Sequence, residues 1–214
     1  MWTLEQPLIR GIFARLAPKR TLDFATGTGR IAAELEATLP NCELHAIDIS
    51  SDMLALARTK CKNVAFHEMD GRQALARFGE NAFDAVSAFR FFPNADPILR
   101  EDAADQIAGL TKPGGHVVVN NHRSFWSTSY MAMRAMGNRD GSYGTPNADL
   151  KRLFVERGFT CQARYSLGIW PQTDFRSFVL PWPVTLAVER FNVHYLARLH
   201  STGYNTVFVF RKTS

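Results

Sequence analysis

The stretch from Thr21 to Leu35, TLDFATGTGRIAAEL, decides the fold. It opens as a short apolar run carrying one acid, Asp23, passes through Gly27 and Gly29, and then spaces Ile31, Ala32 and Leu35 as one face of a helix does. A buried strand, a tight turn and a helix in that order begin a parallel sheet covered by helices. Glycine lets the turn tighten and a ligand approach the backbone, while the helix start points its amide hydrogens at the same place. The turn therefore suits a small polar ligand. Gly27-Thr28-Gly29-Arg30-Ile31-Ala32 also fits the G-x-G-x-x-A fingerprint of dinucleotide sites, with the next acidic strand end at Asp48. On these residues alone the cofactor stays open.

Working outward, short apolar or β-branched runs alternate with helix-like segments from residue 20 to about 160. The spacing predicts strands at 21–25, 42–48, 63–69, 83–89 and 115–121, and helices at 29–39, 51–60, 72–78 and 97–110. Two further strand patterns, 159–167 and 205–212, close the chain as a hairpin-like pair. The last alternates Val207 and Val209 against Phe208 and Phe210. Between them lie residues 168–204, far longer than a hairpin loop, whose second half (184–200) places Leu186, Val193, Leu196 and Leu199 at helical spacing. Residues 123–144 form a second excess segment, read as an aromatic and Met-rich helix ended at Gly137. The expected plan is one doubly wound α/β domain. It has an N-terminal helix within 1–19, a cofactor-binding core over 20–167, an insertion or lid over 168–204 and a last strand at 205–214.

The totals narrow the class. A chain of 214 residues with 46% hydrophobic and 21% charged composition buries a full core in one domain. The opening MWTLEQPLIRGIFARLAPKR spaces Leu4, Leu8, Ile9, Ile12 and Phe13 as an amphipathic helix and reads as no secretory leader, so a cytoplasmic location is expected. The longest apolar run, residues 178–188, falls short of the roughly 20 residues that cross a bilayer and contains Pro181 and Pro183. Cys42, Cys61 and Cys161 show neither disulfide nor zinc spacing, and no metal site is expected. The net charge of +5 is not concentrated in a basic run, so no nucleic-acid partner is expected.

Taken in order, these elements resemble the class I S-adenosylmethionine-dependent methyltransferases. The family's first motif stands here as Asp23-Phe24-Ala25-Thr26-Gly27-Thr28-Gly29, and its second as AIDISSDML, with Asp48 and Met53. A third acidic strand end follows at Asp70, then FDAV at 83–86 and LTKPGGHVVV at 110–119. LKRLFVERGF at 150–159 is similar to the helix before the sixth strand. The resemblance implies a seven-stranded, mostly parallel sheet with an antiparallel last strand, helices on both faces, and S-adenosyl-L-methionine as cofactor. It places the methionine ammonium at Asp23, directly or through water, and the amino-acid part against Ala25, Thr26, Gly27, Gly29 and Arg30. The ribose falls to Asp48, and the adenine to Ile49, Met53, Asp70 and Gly71. Ala25 stands where many members carry glycine, which implies an altered turn with binding retained.

Methyl transfer is an in-line displacement, so the protein aligns the acceptor and excludes water without a nucleophile of its own. A general base helps an oxygen acceptor of high pKa, and His122, just after the fifth strand, lies at the carboxyl edge where ligands bind. Arg90, just beyond the fourth strand, either binds an anionic substrate group or braces its loop. Asn94, Asn120 and Asn121 are weaker candidates, whereas His45, His67, His194 and His200 read as packing or surface residues. The fourth strand ends in Phe89-Arg90-Phe91-Phe92-Pro93, without the Asn/Asp-Pro-Pro-aromatic motif of base amino-methyltransferases. A small-molecule or carrier-linked acceptor, methylated on oxygen or nitrogen, is the reading that remains. Trp170, Phe175, Phe178, Trp182, Phe191 and Tyr195 suit a lid over it, a homodimer face or a segment lying on a membrane surface. Two rivals stand beside it: a non-catalytic cofactor-binding module, and a nicotinamide-dependent oxidoreductase, whose Tyr-x-x-x-Lys is missing.

Overall fold

The computed structural model describes residues 2–122, 127, 131, 145–169, 181–196 and 203–213, the side chain of His194 excepted. Its strands are β1 (Arg20–Phe24), β2 (Glu43–Asp48), β3 (Val64–Glu68), β4 (Phe83–Ala88), β5 (Thr111–His122), β6 (Phe159–Leu167) and β7 (Asn205–Lys212). They form one sheet in the order β3-β2-β1-β4-β5-β7-β6. The pairs from β3 across to β5 are parallel, and β7 runs antiparallel to both β5 and β6. The helices are α1 (Trp2–Leu16), α2 (Arg30–Thr38), α3 (Ser51–Arg58), α4 (Ala74–Phe78), α5 (Pro97–Leu110), α6 (Asn147–Val155) and α7 (Trp182–Phe191).

Both faces of the sheet are covered, which is why its central strands read as continuous apolar runs. On one face Phe24, Val86, Phe208 and Phe210 pack with Ala104 and Ile107 of α5 and Phe154 of α6. On the other, Ala85, Val118, Val207 and Val209 meet Ile9, Ile12 and Phe13 of α1 and Ile31 and Leu35 of α2. The alternation along β7 thus divides its valines and phenylalanines between two cores. Helix starts follow from local chemistry: Ser50 accepts from the Met53 amide at 3.3 Å to cap α3, and Asp96, followed by Pro97, accepts from the Leu99 amide to cap α5. At the opposite edge, Asp84 of FDAV accepts from the Lys19 and Arg20 amides at 3.0 and 2.8 Å and from Lys112 Nζ at 2.6 Å. That acid fixes where β1 enters the sheet and is structural.

Two expectations are corrected. β5 begins at Thr111 and runs through the Pro113-Gly114-Gly115 turn, with a register shift against β4 between Phe83 and Ala85. The late helix starts at Trp182 and continues as a π-helical turn, Asn192–Leu196, with its polar side chains inward. Thr185, Glu189 and Asn192 are buried, while Phe191, Tyr195 and Leu196 are exposed, opposite to what Leu196 at helical spacing implies. Glu189 explains the orientation, since its carboxylate accepts from the Gly168 and Ile169 amides at 3.1 and 2.7 Å. The remainder of that pattern, the bulk of the Met-rich segment, Trp170, Phe175, Phe178 and His200 lie outside the described residues.

Candidate active site

The chain lays β2 and β3 to one side of β1, then returns to lay β4 and β5 on the other. The crevice above the carboxyl ends of β1 and β4 is therefore the switch point at which such sheets bind ligands. Asp23 is buried there. Thr26 Oγ1 donates to its Oδ2 at 2.5 Å, and Ser87 Oγ, opposite it on β4, donates to Oδ1 at 2.7 Å. Burial pushes the Asp23 carboxyl up to about 6, against the pull of those two hydroxyls.

The glycine turn folds over the end of β2. The Thr26 amide donates to Ile47 O at 2.9 Å, the Gly27 amide to Asp48 Oδ2 at 2.7 Å and the Ser50 amide to Asp48 Oδ1 at 3.0 Å. A carboxylate offers about four lone pairs, so acceptor capacity remains for a diol. Ala25 takes the left-handed conformation at φ 55°, which strains a side chain by about 1–2 kcal/mol and keeps the turn tight despite the missing glycine. A Cβ on Gly27 would meet nothing within 4 Å, so the turn presents bare backbone to open space. Gly29, at φ 72°, differs: a Cβ there would lie 2.6 Å from Ala57 Cβ on α3. Gly29→Ala is therefore expected to destabilise the fold by about 2–4 kcal/mol through left-handed strain plus overpacking, read as a lower urea midpoint.

Past Asp48 lies a cavity of about 210 Å³ walled by Phe24, Ile47, Ile49, Met69, Phe91 and Leu99, with Asp70 and Gly71 also in its lining. Phe91 meets Phe24 edge to face, with 5.5 Å between ring centroids. The Arg72 guanidinium grips both oxygens of Asp70, with Nη2 at 2.6 Å, and holds that carboxyl below the usual carboxylate range. Met53 sits in the first turn of α3, 42% exposed, outside these walls. Of the apolar pair expected here, Ile49 lines the cavity with the two phenyl rings and Met53 does not.

A second cavity, about 450 Å³, shares Ala25, Phe91 and Leu99 with the first and extends over Thr26, Gly27 and Arg30 to Phe89, Arg90 and Asn94. Arg90 is held at φ 59°. Its amide donates to Asn120 Oδ1 at 2.6 Å, and its carbonyl accepts from Asn94 Nδ2 at 2.5 Å. Asn120 in turn donates to Glu5 Oε1 and Asn205 Oδ1, both at 3.1 Å, and Asn205 donates to Glu5 Oε1 at 2.9 Å. Glu5 is fully buried, with Arg30 Nη2 at 4.0 Å from Oε2, and the Arg30 guanidinium lies over the Trp2 ring, 4.3 Å from its centroid. The start of α1 thus backs the site wall through Arg30 and Asn120. His122 lies on the same side of β5 as Asn120 but lines neither cavity, and Asn121 faces away to donate to Thr145 O and Asn147 Oδ1.

Sequence reasoning missed Ser87, Phe91 and Glu5. The signals were there: an acid within the apolar face of the first helix, and an aromatic run beside Arg90. Among the described residues no group of three or more His, Cys, Asp or Glu is placed to hold a metal ion.

The family model described as a methyltransferase domain matches residues 21–115, the segment that carries the turn, Asp48, Asp70 and Arg90. Residues 21–115 thus carry a methyltransferase domain, in agreement with the resemblance to the class I S-adenosylmethionine-dependent methyltransferases. A curated relative, the demethylmenaquinone methyltransferase of Thermus thermophilus, is 43% identical over 109 residues, 48% of this chain and 47% of that protein. The chain spans about half the length of the curated relatives it matches. Among solved structures, an O-methyltransferase family protein from Burkholderia thailandensis has the same fold, with a TM-score of 0.68 at 15% identity over 100% of this chain and 56% of that one. The magnesium protoporphyrin IX methyltransferase of Synechocystis, solved with S-adenosylhomocysteine, covers 98% of this chain and 84% of its own at TM-score 0.63 and 14% identity. S-adenosylmethionine is the cofactor to which a domain of this kind points, and the residues fit it. The bare backbone at Gly27, the spare lone pairs of Asp48 and the apolar cavity beyond them match an amino acid, a diol and a flat base in that order. The dinucleotide reading of the same turn is set aside.

Proposed function

We propose that this methyltransferase acts on a small ring-bearing acceptor with an acidic oxygen, held in the larger cavity between Phe89, Phe91 and Arg90. The observation that carries the reading is Arg90 itself. It is a non-glycine residue held in a left-handed conformation at the cavity wall by Asn120 and Asn94, the kind of strain that persists where a side chain must be aimed. An exposed guanidinium there attracts a phenolate or enolate and favours the deprotonated ring, the better nucleophile. The phenyl walls exclude water and stack on a flat acceptor. Asp48 orients the cofactor's ribose, and Asp23 with Thr26 and Ser87 keeps the turn in shape beneath it. When bound, S-adenosylmethionine supplies a methyl group on a positively charged sulfur.

A relative in Bdellovibrio bacteriovorus, named a ubiquinone/menaquinone biosynthesis C-methyltransferase, adds carbon to the oxygen and nitrogen acceptors expected from the sequence. The test is release of S-adenosylhomocysteine by the purified protein with a demethylated naphthohydroquinone, a catechol and an aromatic amine in parallel. Turnover on an acidic-oxygen ring is expected, and Arg90→Ala is expected to lower kcat/KM by about 10–100-fold, the worth of one charged hydrogen bond, with cofactor affinity unchanged. Turnover confined to the amine, or indifferent to Arg90, overturns the reading.

A further inference from the structure

α7 and the turn after it are built inside out. Thr185, Glu189 and Asn192 point into the protein, and Val184, Phe191, Tyr195 and Leu196 point out, with Phe191 and Tyr195 at 55% and 62% exposure and 4.8 Å between ring centroids. The orientation is fixed by specific bonds and is no accident of loose packing. Glu189 takes the Gly168 and Ile169 amides at the end of β6, the outermost strand, and Asn192 Nδ2 donates to Ser166 O at 3.0 Å. Leaving a glutamate with its bonded amides inside and two aromatic rings outside costs the isolated chain hydrophobic burial, so the outer stripe serves something that covers it.

The charges around the stripe say what covers it. The acids of α1 and of residues 181–196 are Glu5 and Glu189, and both are buried. Of the arginines on those two elements, Arg10 pairs with Glu34 of α2, while Arg15 and Arg190 line a cavity of about 620 Å³ between the elements, with Leu4, Leu8, Val193 and Tyr195. The face is therefore aromatic and aliphatic at its centre, cationic beside it and without an exposed acid on either element. Aromatic rings with a polar tip, aliphatic side chains and arginines are the composition that beds into the headgroup and acyl boundary of an anionic bilayer. A second copy of this chain would bring the same arginines against one another. We propose that this face docks the protein on an anionic lipid surface, with α7 lying in the interfacial plane.

The inference goes beyond the acceptor reading and stands whether or not that reading holds, since its test measures no turnover. The 214-residue chain is sedimented with vesicles of phosphatidylcholine containing phosphatidylglycerol, and with vesicles of phosphatidylcholine alone. Binding to the anionic vesicles is expected, weakened at least tenfold by Phe191→Ser with Tyr195→Ser and about fivefold by Arg190→Ala. Each variant is expected to keep the wild-type circular dichroism and S-adenosylmethionine affinity, because the altered side chains are exposed and lie outside both site cavities. A wild-type protein that stays in the supernatant overturns the proposal. So does binding that the serine variants leave unchanged, or a dimer in sedimentation equilibrium that Phe191→Ser breaks while vesicles are ignored.

Discussion

Asp48→Ala is expected to weaken S-adenosylmethionine binding at least about hundredfold while the protein stays folded. Two losses combine. The carboxylate takes the Gly27 amide at 2.7 Å and the Ser50 amide at 3.0 Å, so it sets the position of the turn against the end of β2. It is also the acceptor assigned to the ribose hydroxyls by the family resemblance, and hydrogen bonds to a charged group contribute about 1.5–3 kcal/mol each, so that two of them would reach a factor of about 100 or more. The fold survives because Asp48 is partly exposed at a strand end and the cores on both faces do not include it. Asp48→Asn retains an acceptor without the charge and is expected to fall between wild type and alanine. Isothermal titration of the three proteins with S-adenosylmethionine, S-adenosylhomocysteine and NAD reads the result. Full affinity in the alanine variant, or binding of NAD in place of the sulfur ligands, contradicts the assignment.

The parts of this molecule legible in the sequence are those written by local rules. The strand, glycine turn and helix at 21–35 showed because a buried strand and a tight turn each demand particular residues in a row, and Asp48 and Asp70 showed because they stand at or just past the ends of β2 and β3. Glu5 was hidden for the opposite reason. Its partners Asn120 and Asn205 are far along the chain, and only the sheet, by setting β5 beside β7 under α1, brings the three together. Met53 was harder to place, because a methionine at a helix start fits both a clamp and a surface, and the sequence holds nothing that decides which way α3 rolls. The reversed face of α7 was illegible in the same way. Helical spacing alone does not say which side faces inward, and that depends on two amides at the end of β6 that Glu189 takes.

Cofactor affinity is expected to rise with pH up to about pH 6 and then level off, and Asp23→Asn is expected to remove that dependence. Asp23 has its carboxyl raised from 3.8 to about 6, chiefly by burial. The folded state therefore holds this proton more tightly than the unfolded chain does. The stability this contributes is complete below about pH 3.8 and is lost as the pH rises through about 6, a change of about 3 kcal/mol between the limits. At neutral pH the empty protein thus carries a buried charge that costs stability, and asparagine, which offers an acceptor and a donor to the Thr26 and Ser87 hydroxyls, relieves it. Urea unfolding at pH 4.5 and pH 7.5 is expected to show Asp23→Asn gaining on wild type by about 2 kcal/mol across that interval. A cofactor with a positive ammonium and a positive sulfur favours the ionised carboxylate, so binding below about pH 6 releases a proton, which titration in buffers of different ionisation enthalpy counts directly. If wild type and variant bind in parallel across the range with no proton released, Asp23 holds the turn and nothing more. If the proton appears, the stability lost by charging Asp23 is what the cationic ligand recovers on binding, and an unfavourable buried carboxylate in the empty site becomes a source of affinity in the filled one.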